Sequence, residues 1–138
     1  MPTHRLITVD VPTRERSQMI EVTHQVRNAV RQAGMRDGMA IVHVPHTTAA
    51  VTINENADPD VKHDMLRKLE TLIPQHESYY RHAEGNSDSH VKTSLVGNMI
   101  SVLVEDGELV LGTWQGIQFC EFDGPRHRKL QIKLVQFT

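Results

Sequence analysis

The sequence has a single cysteine and no long apolar run, and these two absences exclude several classes of protein. Cys120 is the only cysteine among 138 residues, so neither an intrachain disulfide nor a cysteine-based zinc finger can form. The opening MPTHRLITVDVPTRE lacks the apolar stretch of a signal peptide, and no run of residues approaches the length of a membrane span. We therefore expect a cytoplasmic protein made of one domain, residues 1–138, with a single core.

An excess of positive charge is also missing, and this bears on the partners. The 15 lysines and arginines are balanced by 17 acidic residues, for a net charge of −2. General nucleic-acid binders and membrane-surface proteins usually carry a positive excess. The basic cluster RHRK at 126–129 is too short to change that balance. The composition predicts neither a nucleic-acid nor a membrane partner.

Aromatic residues are scarce, at 4 %, and the remaining apolar residues follow helical and strand periods. In residues 14–33 six apolar side chains recur at helical spacing, which predicts a helix capped by Thr13 and ended by Gly34. Asp58 followed by proline predicts the start of a second helix. Residues 89–98, SHVKTSLVGN, predict a short third helix.

Strand patterns occupy much of the rest of the chain. MAIVHV (39–44) and AAVTIN (49–54), joined by PHTT, predict a β-hairpin. After residue 98 the chain alternates strand-like runs with turns. In the last run buried and polar residues alternate, which is typical of an antiparallel sheet with one wet face. The pattern as a whole predicts an α+β fold.

Titratable side chains are concentrated in YYRHAEGNSDSH, residues 79–90. A catalytic transition-metal site takes three protein ligands and leaves one position for water or substrate. His82 and His90, together with His46 from the hairpin loop, are candidate ligands of this kind. The eight-residue separation of His82 and His90 does not place them on one helical face as in a zincin. Solvated or capping histidines therefore remain an alternative.

Carboxylates near these histidines are candidates for catalytic roles. Glu55 and Asp88 could orient a ligand or act as a general base. The predicted hairpin would place Asn54 and Glu55 beside His46. Asn54 is therefore a candidate substrate-binding residue. Gln115, in the tight connection GTWQG, is a second candidate.

The segment GNSDS, residues 85–89, is also suited to an anion. Gly85 allows close backbone approach, Ser87 or Asp88 could cap the third helix, and a helix N-terminus favours phosphate. Asn86 is a substrate-binding candidate on this basis, and a polar loop without a ligand is the alternative. Arg126 suits bidentate phosphate recognition, against the alternative of an exposed strand face after a turn.

Long segments of the chain, taken together, resemble a known family. PHTTAAVTINENADPDVKHD, YRHAEGNSDSHVKTSLVGN and GELVLGTWQGIQFCEFDGPR resemble the YjbQ-like family, often labelled secondary thiamine-phosphate synthase, over about residues 4–137. The resemblance implies an α+β domain, mostly an antiparallel β-sandwich with two main helices and one short helix, assembled as a homotrimer. The family's polar signature matches His46, Asn54, Glu55, Asp64, His82, Asp88, His90, Trp114 and Gln115. The match strengthens the expectation of a divalent metal ion, zinc, on His46, His82 and His90.

The activity that the resemblance implies is the joining of a pyrimidine diphosphate to a thiazole phosphate with release of pyrophosphate. The substrate would then be a small phosphorylated molecule. Two alternatives stay open: a metal-assisted hydrolase of a small phosphate or ester, and a non-catalytic trimer that holds a metal or an anion. Cys120 is expected to be a buried structural thiol, and Trp114 a packing residue.

Overall fold

The fold consists of two antiparallel sheets and three helices in a computed structural model that describes residues 5–137. The chain runs through β1 (Ile7–Pro12), β2 (Gln18–Glu21), α1 (Thr23–Ala33), β3 (Gly38–His43), β4 (Ala49–Glu55), α2 (Pro59–Leu72), α3 (Ser87–Val96), β5 (Met99–Glu105), β6 (Glu108–Leu109), β7 (Gln115–Glu121) and β8 (His127–Gln136). The larger sheet has the order β1-β8-β3-β5-β6, and the smaller one has the order β2-β7-β4. The predicted α+β sandwich is confirmed.

The main core lies between the two sheets. Val42 and Ile132 of the larger sheet belong to the same buried apolar cluster as Val51 and Phe119 of the smaller one. Side chains alternate between the faces of a strand, so Cys120, next to Phe119, belongs to a second cluster on the opposite face. The smaller sheet is therefore covered on both sides.

Helix α2 and the end of α3 cover that second face. Met65 and Leu69 of α2, with Val96 of α3, pack against the cluster that contains Cys120. Burial raises the pKa of Cys120 to about 12, so the thiol stays protonated at neutral pH. Cys120 is thus a buried thiol, as expected. None of the helices in the described residues is long and apolar enough to span a bilayer.

The predicted helix over residues 14–33 is wrong in its first half. Residues Gln18–Glu21 form β2, which pairs with β7, and α1 starts only at Thr23. In this stretch only Met19 belongs to the helical pattern, and pairing with β7 decides the conformation. Thr13 does not cap α1 but donates a hydrogen bond from Oγ1 to Glu121 over 2.8 Å. The predicted end is confirmed, because Gly34 adopts the left-handed conformation with φ of 66°.

The predicted hairpin of residues 39–54 is also wrong. Strand β3 pairs with β5 and β8 in the larger sheet, whereas β4 pairs with β7 in the smaller one. The segment between them, which contains His46, crosses from one sheet to the other. Asn54 and Glu55 therefore do not lie beside His46, and this separates two groups of predicted site residues.

The other two helices start close to their predicted positions. The side chain of Asp58 accepts a hydrogen bond from the backbone N–H of Asp60 over 2.9 Å, as an N-cap does. Helix α3 ends at Val96, with Gly97 as its C-cap, as the sequence predicts. At its start, neither Ser87 nor Asp88 is the N-cap, because both already belong to the helix. The cap position is Asn86, which brings its side chain to the start of α3.

Candidate functional site

Two adjoining depressions of about 380 and 350 Å³ share His46, Thr47 and His90. We call them together the histidine–arginine cleft. One wall is the crossover between β3 and β4, and the second is α3 with its cap. The turn between β7 and β8 forms the third wall together with the start of β8; the turn contributes Arg126 and the strand contributes Arg128. Four of the predicted site residues therefore meet in one cleft, namely His46, Asn86, His90 and Arg126.

His46 is held by the backbone of the larger sheet. Its Nε2 accepts a hydrogen bond from the N–H of Lys129 in β8 over 2.9 Å. Burial lowers the pKa of His46 and the positive charge of Arg128 lowers it further, while the Glu121 carboxylate opposes this effect. His46 is accordingly a neutral imidazole at physiological pH.

A buried ion pair lies beneath the cleft. Arg128 is 4 % exposed, and its guanidinium donates to the carboxylate of Glu121 and, over 2.7 Å, to Oγ1 of Thr48. Glu121 is fully buried and also accepts hydrogen bonds from Thr13 Oγ1 and the N–H of Asp123. The pair joins β7, β8 and the crossover that carries His46. It fixes the cleft wall from below.

Helix α3 is fixed by a second ionic group. Asp88 has no exposed side chain and accepts hydrogen bonds from Arg16 at 3.0 and 3.1 Å and from Lys92 at 2.8 Å. Burial raises the pKa of Asp88, but these hydrogen bonds and the two positive charges outweigh burial and lower it overall. A carboxylate of this kind is a weak base. The role of Asp88 as a general base stays a prediction, while its contacts anchor the helix that carries His90.

Arg126 and Asn86 share one carboxylate at the mouth of the cleft. Asp123 accepts a hydrogen bond from Asn86 Nδ2 over 2.7 Å and from an Nη atom of Arg126 over 3.0 Å. The guanidinium of Arg126 is half exposed, so it retains donors that face solvent. Asn86 and Arg126 are therefore held in place by Asp123, and both keep hydrogen-bonding groups that this contact does not use.

Two polar atoms on the cleft wall have no partner. Oδ1 of Asn86 and Oγ1 of Thr93 are buried and form no hydrogen bond within residues 5–137. Both residues line the cleft, one before and one after His90 on α3. Buried polar atoms in folded proteins are nearly always satisfied by a protein group, a water, an ion or a ligand. These two atoms make this wall a candidate site for a ligand or an ordered water.

His82 lies beside His90 but faces a neighbouring depression. The two imidazole rings meet edge-on with centroids 5.4 Å apart. His82 lines a separate depression of about 370 Å³ with Tyr80 and Gly85. Its Nε2 lies 3.6 Å from a carboxylate oxygen of Glu84, which belongs to the cleft. His82 thus stands at the border of the cleft.

The residues Asn54, Glu55 and Gln115 lie elsewhere. In the β4–β7 pair, Ala49 faces Glu121 near the cleft, whereas Glu55 faces Gln115 at the far end. Six residues of extended strand span roughly 20 Å. These three polar residues therefore form a separate group within the chain. Trp114 lies beside them and is 63 % exposed, so the prediction that it is a packing residue is wrong.

A metal ion fits the donor groups only in part. Within residues 5–137, no three His, Cys, Asp or Glu side chains lie close enough to hold one ion together. Two imidazoles on one tetrahedral ion, with Zn–N of about 2.0–2.1 Å, have ring centres roughly 5 Å apart. The ring centres of His82 and His90 have a similar separation of 5.4 Å, but the rings meet edge-on and line different depressions. The full predicted set, with His46 as third ligand, stays a prediction.

Sequence reasoning missed two residues of the cleft wall and undervalued a third. Thr93 looks like any polar residue of a short helix, and Asp123 looks like a turn former. Their importance depends on contacts with residues distant in the sequence. Arg128 alternates with apolar neighbours in β8, and this position, on the buried face of a strand, was a usable signal.

Comparison with known proteins gives a consistent answer over nearly the whole chain. A family model described as UPF0047 protein YjbQ-like matches residues 7–137. The UPF0047 protein YugU of Bacillus subtilis is 50 % identical over 130 residues, covering 94 % of this chain and 98 % of that protein. A UPF0047 protein of Methanocaldococcus jannaschii is 46 % identical and covers 94 % of each chain.

Solved structures agree with the fold. A crystal structure of an uncharacterized conserved protein of the yjbq/upf0047 family from Clostridium acetobutylicum has a TM-score of 0.92 and 50 % identity, covering 94 % of this chain and 99 % of that one. A YbjQ-like protein of unknown function from Sulfolobus solfataricus has the same TM-score of 0.92 at 28 % identity, covering 98 % and 99 %. The architecture is thus retained at low sequence identity.

Proposed function

This chain belongs to the UPF0047 YjbQ-like family, and from that premise we propose that it is a cytoplasmic enzyme that binds a small phosphorylated substrate in the histidine–arginine cleft. The proposed reaction is the one that the family resemblance implies, the joining of a pyrimidine diphosphate to a thiazole phosphate. In that reaction a carbon–nitrogen bond forms to the thiazole nitrogen. The carbon–oxygen bond to the diphosphate breaks, and its electron pair leaves with pyrophosphate.

The observation that carries the proposal is the pair of unsatisfied atoms on α3 and its cap, Asn86 Oδ1 in the depression that contains Arg126 and Arg128, and Thr93 Oγ1 in the adjoining depression. In a phosphorylated heterocycle, the charged phosphate oxygens can interact with the arginines. The neutral polar groups of the ring can bind the amide of Asn86 and the hydroxyl of Thr93. The charge of the buried Arg128 is balanced by Glu121, whereas the solvent-facing donors of Arg126 can reach a phosphate. Fixed positive charge of this kind stabilises the charge that develops on a leaving pyrophosphate.

A divalent metal ion, zinc in the first instance, would be held by His82 and His90. The sequence predicts His46 as the third ligand, but Nε2 of His46 already accepts a hydrogen bond from Lys129. Such an ion would supply Lewis-acid stabilisation of negative charge on phosphate oxygens. We further propose the homotrimer that the resemblance implies. In such an assembly, Asn54, Glu55 and Gln115 of one subunit have a route to the cleft of another, which a single chain does not offer.

The two alternatives lead to different products. A metal-assisted hydrolase would release a dephosphorylated or cleaved single substrate, and a binding module would hold the ligand without turnover. We expect the purified protein, given a pyrimidine diphosphate and a thiazole phosphate, to produce the coupled phosphate together with an equal amount of pyrophosphate. Chromatography with mass detection separates these outcomes. Hydrolysis of one substrate alone, or unchanged substrates, would contradict the coupling reaction.

The same assay tests the cleft itself through Arg126. Arg126→Gln removes a charged donor and should lower kcat/KM by roughly 10- to 100-fold, the value of a charge-assisted hydrogen bond. Arg31→Gln is the matched control, because Arg31 makes only a long, exposed ion pair with Glu108. Equal activity of Arg126→Gln and Arg31→Gln would place the reaction outside the cleft.

Metal content tests the proposed ion separately from the reaction. Protein purified without a histidine tag should contain about one zinc or similar ion per chain, and His90→Ala should lose it. His24→Ala, at an exposed position on α1, should retain it. If neither the wild type nor the control binds metal, even after zinc or manganese is added, the metal site is wrong, while the anion-binding cleft is unaffected.

A further inference from the structure

The ring of His46 replaces a backbone acceptor in the larger sheet. Strand β3 ends at His43, which pairs with Gln131 of β8. Strand β8 begins four residues earlier, at His127, so its first residues extend past the end of β3. The N–H of Lys129 lies beyond the end of β3, and it donates to Nε2 of His46 over 2.9 Å. An otherwise unpaired strand N–H is thus satisfied by an imidazole.

This hydrogen bond determines where the proton of His46 lies. A nitrogen that accepts a hydrogen bond must have a free lone pair, and an imidazolium has none. The ring is therefore neutral, Nε2 is unprotonated, and the single ring proton is on Nδ1. Among the hydrogen bonds within residues 5–137, none involves Nδ1 of His46, although the ring lines both depressions of the cleft.

We propose that His46 is not a metal ligand but a hydrogen-bond donor, through Nδ1–H, to a phosphate oxygen of the substrate. A metal ligand nitrogen needs a lone pair, and both nitrogens of His46 are committed, one to Lys129 and the other to its proton. Beside Arg126 and Arg128, a fixed neutral donor adds direction to the recognition of the oxyanion. The inference rests on the proposed binding of a phosphorylated substrate and changes the role of one residue within it.

The position of the ring proton can be measured directly. In protein with ¹⁵N-labelled histidine, long-range proton–nitrogen correlation spectra distinguish an Nδ1–H ring from an Nε2–H ring, and His46→Gln assigns the signal. We expect the Nδ1–H form for His46, retained after zinc is added, while the signals of His82 and His90 shift. An Nε2–H ring, or direct perturbation of the His46 nitrogens by zinc, would overturn the proposal.

Two variants test the oxyanion role with inorganic pyrophosphate as the probe. Asparagine places its amide near the position of Nδ1 and keeps a donor there. Glutamine reaches the position of Nε2, so it keeps an acceptor for Lys129 but loses that donor. Calorimetric titration should show affinity weakened roughly 10-fold or more in His46→Gln and by a smaller factor in His46→Asn. Equal affinities of His46→Gln and wild type would contradict the donor role.

Failure of this inference differs from failure of the proposed function. If wild-type protein does not bind pyrophosphate, the phosphate-binding function is wrong and the oxyanion role of His46 falls with it. If wild-type protein binds pyrophosphate and its His46 carries the Nε2 proton, only the role of His46 is wrong. Thermal unfolding of both variants, compared with exposed His24→Gln, checks that a loss of affinity is not a loss of folded protein.

Discussion

Replacing Arg128 with leucine is expected to lower the free energy of unfolding by about 3–5 kcal/mol, as found when one partner of a buried ion pair is removed. Glu121 would remain fully buried with its negative charge uncompensated. It keeps hydrogen bonds from Thr13 and from the N–H of Asp123, but these are neutral donors. Urea unfolding at neutral pH, followed by circular dichroism, measures the change.

A matched control and a double variant make this test specific. Arg31→Leu removes an arginine whose partner Glu108 is exposed and 3.8 Å away, so it should cost at most about 1 kcal/mol. Arg128→Leu combined with Glu121→Leu removes both charges and should recover a large part of the loss. If Arg128→Leu were as stable as Arg31→Leu, the pair would not hold the fold together at the base of the cleft.

The parts of the fold that sequence could predict are those decided locally. Asp58 and the following proline specify the start of α2 because the cap and the fixed backbone angle act within a few residues. Residues 18–21 were misassigned because Met19 continues the helical spacing of Val22 and Val26 in the following segment. Their true conformation comes from pairing with β7, about 100 positions away, which no local pattern contains.

The site shows the same limit. His46, His90 and Arg126 were found because unusual polar residues at turns stand out in any sequence. The residue pattern grouped Glu55 with them through the assumed hairpin, which fails because β3 and β4 belong to different sheets. Thr93 and the proton position on His46 depend on contacts formed only in three dimensions, so neither could be derived from residue types.

Asp88 should make the stability of the fold depend on pH in the acid range. Its pKa in the folded protein is lowered from the ordinary 3.8. The unfolded chain therefore binds a proton at higher pH than the folded one does, so stability increases with pH through that interval. The contribution of Asp88 is complete above about pH 5 and is lost as the pH falls below about 4 toward the folded value. Asp88→Asn should remove this part of the pH dependence.

At neutral pH, Asp88→Asn should lower the free energy of unfolding by about 3–5 kcal/mol, because Lys92, which is 2 % exposed, would keep its charge without a carboxylate. Near pH 3 the difference between wild type and variant should shrink, because the unfolded wild type then binds a proton at Asp88 that the folded protein takes up only at lower pH. Asp64→Asn, at an exposed position, should change little at either pH. A difference that stays constant between pH 7 and 3 would mean that Asp88 acts through packing rather than charge, so the ionic anchoring of α3, and of His90 with it, would have to be abandoned.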